Sequence, residues 1–576
     1  MHDNTLHYFE QQRQLLLDGL EAYRRQHPHQ AQLLGISGQT ITDPQLRALL
    51  DGVAYLTGLT AQQLALTAPQ LTEILVRTVF PDYLRPVPAL LPVVFTPQAA
   101  AQTQILAAET PFTTHTAAGE NIHWRTQYPL TLMPLAITTQ QFIPQAAGYS
   151  EQGEPRTAVC SLQLAFSVTV PGVSLSELNL TSLTLHFTGD GDLPWLTDDA
   201  VHRQCAAIRL NAGETETFLP PDACQRLPLT YRAEAEDDAH RLLYDALWYP
   251  EQAAGAVISL ADPLKHCNGQ TFTLTFFFRD MPPQPVRFAR QDSIVLFRTV
   301  LTNCFAHQSE PLRVSPDSNP HPVCADTQSD VLLHSAEAVT DITVLPAQPV
   351  PQLYHPRVTP HSACCWQPVC GTAGGVTHLN CLLSGEVAEP EPEPVRLWVV
   401  HGRGTQGERA VAAAGETVTP QQADPLMYHA VAAQRAMRLP LPVQPDPCAL
   451  FLRLRQARLS DLTDSPEALK ALLSLYDRQN SPVISGLIAA IEEITSSPGV
   501  TVRFYHHLPL TIPGQHITVT LAQHTPAAGT AFFAALLEAV FTALSDDHEF
   551  IQLTLRRRND SGARYHGPLR IADEPF

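Results

Sequence analysis

Fifty of the 576 residues are proline, against 28 glycines. A residue that fixes φ and lacks an N–H is excluded from helix interiors and central strands, so at this density long regular elements are rare. The chain is therefore expected to be loop-rich and β-leaning. The densest case is "LVRTVFPDYLRPVPALLPVVFTP", residues 75–97, where five prolines occupy the seventeen positions from Pro81 to Pro97, directly after a helical pattern.

At this length, with roughly 150 residues per domain, three or four units are expected. Hydrophobic residues make up 44% and charged residues 16%, which supplies apolar material for real cores and leaves much neutral surface for partners. Lys and Arg number 36 against 56 Asp and Glu, a formal charge of −20 that repels phosphate backbones and anionic lipid. Nucleic acid is not an expected partner, and the basic run Arg556 to Arg558 reads as a solvated strand end. No basic start precedes an apolar core at "MHDNTLHYFEQQRQ", and no run approaches about 18 uninterrupted apolar residues, so neither an export signal nor a membrane insertion is expected. Eleven scattered cysteines, an odd set without framework spacing, fit reduced thiols in the cytoplasm.

Residues 6–80 read as helices. Leu6, Phe9, Leu16, Leu20 and Tyr23 recur at helical spacing; Asp43 before Pro44 makes an N-cap and first turn, with Leu46, Leu49, Val53 and Leu56 on one face; "PQLTEILVRTVF" must stop near Pro81. The period then changes to two. In "CSLQLAFSVTV" Cys160, Leu162, Leu164, Phe166, Val168 and Val170 alternate with Ser, Gln, Ala and Thr, a strand with one buried face. "TSLTLHF", "FTLTFFF", "IVLFRTVL", "VRLWVV", "LFLRLR", "HITVTL" and "FIQLTL" are further strands, "DDAVHRQCAAI" and "AHRLLYDALW" helical pieces. "AEPEPEP" (388–394) and "LPLPVQPDP" (439–447) read as stiff connections. Ser465 caps a helix over "PEALKALLSLYD", and "AFFAALLEAVFTALS" is another before the last strand. The fold class expected is α+β and multidomain: a helical region over 1–87, a β-rich middle over 88–320, a β-rich part with proline-rich linkers over 321–450, and a mixed C-terminal domain over 451–576.

Four patterns invite chemistry. Gly402, Gly404 and Gly407 have G-x-G-x-x-G spacing, which in a dinucleotide site lets backbone approach a pyrophosphate. No second buried strand or ribose-holding acid follows, so a hairpin or surface loop accounts for the spacing, with a nucleotide-dependent enzyme as the alternative. His361, Cys364, His378 and Cys381 form two H-x-x-C pairs of the kind zinc uses, yet "VTHLNCLL" reads as a strand, where residues three apart face opposite ways. Asp190 and Asp192 lack the closing ligands of a calcium loop and read as a Gly/Asp turn. His506 and His507 are adjacent at a strand end and read as surface residues. No nucleophile elbow, zinc-protease helix or phosphate loop occurs. No enzymatic activity and no cofactor are expected.

The order helix, helix, Pro-x-Tyr-Leu-x-Pro-x-Pro exit into a strand resembles the N-terminal region of the TssF family, baseplate subunits of the type VI secretion system. The residues that carry it are Phe80, Pro81, Tyr83, Leu84, Pro86 and Pro88. "LTSLTLHFTGDGDLPWLTDDAVHRQCAAIRL", "LLYDALWYPEQ", "TVLTNCFAHQSEPLRV" with Asn303 and Phe305, "ALKALLSLYDRQ" and the final "FFAALLEAVFTALSDDHEFIQLTLR" are similar to family segments in the same order. The resemblance implies a structural role: two copies joined by one TssG into a wedge, six wedges around the spike and hub as in contractile phage baseplates, with a stand-alone phage-like binding module as a further alternative. It also implies contacts with TssE, TssK and the spike protein VgrG, and a cytoplasmic location docked at the inner membrane through the secretion system's membrane complex. The proline run is then expected to be a strut between bundling helices and the β body.

Overall fold

The computed structural model describes most of residues 88–571, with 353–363, 384–395, 407–417 and 433–457 the longest stretches outside the description, and before residue 88 chiefly 44–57. The chain divides into two compact units, Met1–Leu84 with Leu441–Arg453, and Arg85–Pro440 with Leu454–Phe576. The first division falls inside the proline run. In the smaller unit, residues 44–45 and 47–57 are helical, as a first-turn proline and the spacing of Leu49, Val53 and Leu56 predict. The helices expected over 6–23 and 69–80 lie outside the described residues except at single positions such as the buried Val76.

The larger unit is built mainly of antiparallel sheets. A five-stranded one runs in the order Thr215–Leu219, Cys205–Ala212, Thr271–Phe278, Cys160–Val168, Leu135–Ile143. Cys160, Leu162, Leu164, Phe166 and Val168 are buried, the face that the alternation predicts. Phe166 stands opposite Phe272 with the rings stacked at 4.6 Å, a pair that contributes about 0.5–1.5 kcal/mol beyond its buried area. A six-stranded sheet runs in the order Thr419–Pro420, Pro111–His115, Asn121–Thr126, Arg298–Thr302, Leu90–Pro97, Tyr428–Ala432. A second five-stranded sheet has Arg396–Gln406 between Val331–Asp341 and the short strands Phe305–Gln308 and Leu312–Val314. Pairing thus crosses position 320, the expected boundary between the β-rich middle and the part that follows.

Two segments differ from their sequence reading. "IVLFRTVL" is not one strand: Phe297 takes a left-handed backbone (φ 50°), so that Ile294–Val295 joins Ser182–Phe187 in a four-stranded sheet while Arg298–Thr302 joins the six-stranded one. One apolar run serves two sheets, and the carbonyl of Phe297 accepts the Phe95 N–H at 3.1 Å across the break. "DDAVHRQCAAI" is helical only at its start. Helix Leu193–Asp199 passes through a π turn, Ala200–Gln204, into strand Cys205–Ala212, because Cys205 and Ala207 pair with the buried Phe278 and Phe277.

At the C-terminal end, strand Leu508–Leu521 runs parallel to Phe550–Arg557, and parallel neighbours need a crossover, here helix Thr530–Leu544. Twelve of its fifteen residues are buried, and Glu538 is its one charge. The Glu538 carboxylate accepts from the Tyr565 hydroxyl at 2.5 Å and Arg570 Nε at 2.7 Å, which fastens the closing segment to the helix. A helix apolar on all sides must be covered on all sides. It packs against strand Phe550–Arg557 and against helices Ala239–Trp248 and Leu193–Asp199 of the middle of the chain.

The helix N-terminus is closed from that middle region. Gly529, at φ 83°, supplies no capping side chain, and a Cβ there would stand 2.9 Å from Val483 Cγ1. Asp199, 331 and 332 residues earlier, accepts the N–H of Thr530 at 3.2 Å and of Ala531 at 2.6 Å, satisfying donors that the helix leaves open. Trp195 meets Phe532 at 5.0 Å beside it, and His240 Nδ1 lies 2.8 Å from the Tyr476 hydroxyl on the next helix pair.

Burial, against the pull of Arg203 and the two donated N–H groups, pushes the Asp199 carboxyl up from 3.8 to about 7. Between those values the unfolded chain has released a proton that the folded chain still holds, so this group's contribution to stability falls as pH rises through the window. Asp199→Asn does not titrate. Thermal melts should show wild type losing stability relative to Asp199→Asn as pH rises from about 4 to about 7; a constant difference would refute the shift.

Candidate functional site

Segments that sequence reading singles out separately meet around strand Arg298–Thr302. Leu90, the first residue of strand Leu90–Pro97, pairs with Thr302, and the Asn303 N–H donates to the Ala89 carbonyl at 3.0 Å. The buried Pro88 therefore brings the proline run directly against the "TVLTNCF" segment. The "YPEQ" turn joins them, with Tyr249, Leu90 and Val300 forming one buried cluster. Arg298, itself buried, donates to the Tyr249 hydroxyl at 2.7 Å and the Glu251 carbonyl at 3.1 Å, its guanidinium 5.6 Å from the Tyr249 ring centre. Burial, and then the charge of Arg298, hold His186 down at about 3, so it is neutral.

Asn303 is the pivot between two sheets. It sits between Arg298–Thr302 of the six-stranded sheet and Phe305–Gln308 of the five-stranded one. A primary amide has two donor and two acceptor slots, and all four are used. Nδ2 donates to the His123 carbonyl at 2.7 Å and Gln406 Oε1 at 3.0 Å; Oδ1 accepts the Gln406 N–H at 2.6 Å and the Thr405 hydroxyl at 3.1 Å. Gln406 extends the network, accepting the His123 N–H at 2.8 Å and donating to the Asn121 carbonyl at 2.8 Å. Phe305 lies edge-on to His123 at 5.2 Å. Partial burial lowers the His123 pKa, in keeping with Nδ1 accepting from Gln421 Nε2 at 2.9 Å. Outside this amide network Glu109 bridges Arg125 and Arg403, and Arg403 reaches Glu337 at 2.9 Å, so charges also tie the two sheets together at their surface.

The arrangement holds elements of two sheets in register. Of the motif residues, Pro88, Asn303 and Phe305 fall at this junction; Phe80, Pro81, Tyr83, Leu84 and Pro86 lie outside the described residues. Two of the three glycines do not have the placement that a nucleotide loop, or the expected hairpin or surface loop, requires. Gly402 and Gly404 are inside strand Arg396–Gln406, neither in a strand-to-helix loop nor in a hairpin turn. A Cβ at Gly402 would fall 1.9 Å from the Ser335 carbonyl oxygen and one at Gly404 2.9 Å from Val331 Cγ1, at a ladder with register shifts, so glycine is there for close strand approach. Gly407 lies outside the described residues, as do His361, His506 and His507.

Cys364 pairs with Leu383, Cys381 with Trp366 and His378 with Val369, on strands Cys364–Cys370 and Val376–Leu383, so no two of these residues are opposite each other. Among the described residues no cluster of three metal-ligating side chains occurs. Asp192 starts helix Leu193–Asp199 after the left-handed Gly189 and Gly191, the turn that the sequence suggests.

Sequence reading missed Arg298, Asp199, His123 and Gln406. For Arg298 a signal existed, since it is the one charge in the apolar run "IVLFRTVL". Asp199 and Gln406 carry none, because their partners lie 331 and 103 positions away.

Comparison with known proteins bears on the whole chain. The family model described as Type VI secretion system, TssF, matches residues 1–369 and 450–573. Type VI secretion system component TssF1 of Pseudomonas aeruginosa is 25% identical over 383 residues, covering 62% of this chain and 61% of that protein. The match thus spans less than two thirds of the relative. A chain in the cryo-electron microscopy structure of the type VI secretion system TssK-TssF-TssG baseplate subcomplex superposes with a TM-score of 0.67 at 17% identity, over 92% of this chain and 99% of its own. One in the baseplate complex from the type VI secretion system gives 0.52 at 15% identity, over 99% of each chain. The unmatched residues 370–449 include strands Arg396–Gln406, Thr419–Pro420 and Tyr428–Ala432, which complete both sheets at the junction.

Replacing the pivot should be costly. Asn303→Ala leaves the Gln406 N–H and the His123 carbonyl without that partner, and buried groups so stranded cost about 1–3 kcal/mol each, for a total on the order of 3 kcal/mol. Asn303→Asp keeps the acceptors, loses both donors and should be no milder. Denaturant midpoints of the variants measure this, and a loss below about 0.5 kcal/mol would remove Asn303 as the pivot.

Proposed function

The chain belongs to the TssF family of the type VI secretion system, and from that premise we propose that it is a wedge subunit of the baseplate, structural and without catalytic activity. In this reading two copies join one TssG-type subunit, the wedges surround the spike and hub, and the assembly starts sheath and tube growth. TssK, TssE and the spike protein VgrG are its further neighbours. It works on the cytoplasmic side, docked at the inner membrane through the machine's membrane complex. No helix among the described residues is long and apolar enough to cross a membrane.

The observation that carries the proposal is an apolar stripe on the helix at 44–57. Ala54 is fully buried within the small unit, while Leu49 and Leu56 are each 66% exposed and Val53 42%. Positions i, i+4 and i+7 share one helix face, and such a stripe is normally covered by another helix. Full burial of a Leu or Val side chain contributes about 1.5–3 kcal/mol, so three side chains still largely in water make a useful bundling seam. One structural neighbour stands in a complex described as a TssK-TssF-TssG baseplate subcomplex, which supplies the partner class. The proline run supports the same division of labour: the two compact units separate inside it, and fixed φ values lower the entropy lost in ordering the connection.

Light scattering on a size-exclusion column tests this with the chain and a TssG partner co-expressed. A complex of two copies per partner is expected. Leu49→Asp with Leu56→Asp should abolish it without lowering the melting temperature of the β body, and Pro81→Ala, Pro86→Ala and Pro88→Ala together should weaken it more than they weaken folding. A chain that stays monodisperse beside its partner would defeat the wedge reading.

A further inference from the structure

Strands Ile491–Tyr505 and Leu508–Leu521 form a hairpin longer than the sheet it belongs to. The third strand, Phe550–Arg557, begins its pairing at Gly514, so among the described residues 500–505 and 508–513 run on as two strands alone. The change is marked by a direct Gly499–Gly514 pair under the Phe550 side chain. A Cβ at Gly514 would fall 2.1 Å from the Phe550 carbonyl oxygen, and one at Gly499 3.0 Å from its ring.

Up to that pair the outer edge of Ile491–Tyr505 is guarded in the usual ways, by Glu492, Glu493 and Pro498. Past it the guards stop. Val500 is 68% exposed, Val502 56% and Leu510 54%. Two-stranded ribbons are marginal in water, and exposed, weakly charged β-prone segments are the ones that pair with other chains. The charge pattern narrows the partner. From residue 494 to 537 the single residue among Lys, Arg, Asp and Glu is Arg503, in a chain whose formal charge is −20. Most of this protein's surface repels an acidic segment; this arm does not.

We infer that the outer edge of residues 500–505 is a docking edge that takes an extended acidic segment of another protein as a third strand. Main-chain hydrogen bonds to the open edge would supply affinity, and alternation would supply selectivity. The segment that fits has apolar residues two apart to cover Val500 and Val502, with an acid in register with Arg503. The inference rests on the baseplate role proposed above, because it needs another subunit at the arm.

Hydrogen–deuterium exchange separates the two ideas. The full chain is compared alone and in complex with TssG- and TssK-type subunits, the complex being verified by mass. Amides of residues 500–505 should slow by about tenfold or more in the complex. The exposed-face variant Val500→Glu with Val502→Glu should lose that protection while melting as wild type does, and Arg503→Glu should weaken it most at low salt. A verified complex with unchanged exchange at 500–505 overturns the docking edge and leaves the wedge role standing. Protection that grows with concentration in the chain alone assigns the edge to a second copy and overturns the inference. No complex at all overturns both.

Discussion

A buried carboxylate at the start of a buried helix is the constraint from which the larger unit is organised. Helix Thr530–Leu544 brings almost nothing polar to its own surface, and its N-terminus begins at a glycine with no cap to offer. Asp199 is just as poorly placed by itself, a carboxyl 4% exposed. Each would be costly alone. Together the open N–H groups and the carboxyl oxygens satisfy one another. Because the two come from opposite halves of the larger unit, the C-terminal sheet has one seat on the middle of the chain. Tyr476 against His240 repeats the arrangement on a neighbouring helix.

The other joints share this logic. Asn303 uses every slot of its amide between two sheets, Arg298 is held by a tyrosine hydroxyl and a carbonyl, and Glu538 is clasped by Tyr565 and Arg570. Apolar burial of the same area would stabilise as well, but it tolerates sliding; a hydrogen-bonded set has one register. A subunit that must present several surfaces at fixed angles to different neighbours benefits from that property. The chemistry-like patterns dissolve for a related reason: the glycine spacing at Gly402 and Gly404 records two strands lying close together.

Local periodicity was readable from the residues. The alternation over Cys160–Val168, the capped helix Pro466–Tyr476, where Ser465 accepts the Ala468 N–H at 3.3 Å, and the apolar helix near the end all stand where spacing puts them. What spacing does not carry is the second side of an element. Phe277 is buried because Tyr149 lies across from it, and Phe297 bends because one apolar run is divided between two sheets. The site was legible in parts. Asn303 and Pro88 stood out by resemblance, yet that the Asn303 N–H meets the carbonyl following Pro88 is a fact of topology. Asp199 looked like one more acid in an acid-rich turn, since its partner is a third of a thousand residues downstream.

That separation has a consequence for how the protein comes into being. Chains are synthesised at roughly 5–20 residues per second, so the 331 positions between Asp199 and Thr530 amount to roughly 17–66 s during which the carboxylate waits for its helix. The N-terminal stripe leaves the ribosome long before the β body has the means to close. A nascent chain that ends between Asp199 and Gly529 has the acid without the N–H groups that answer it, and strand Leu508–Leu521, where present, without the helix that covers it.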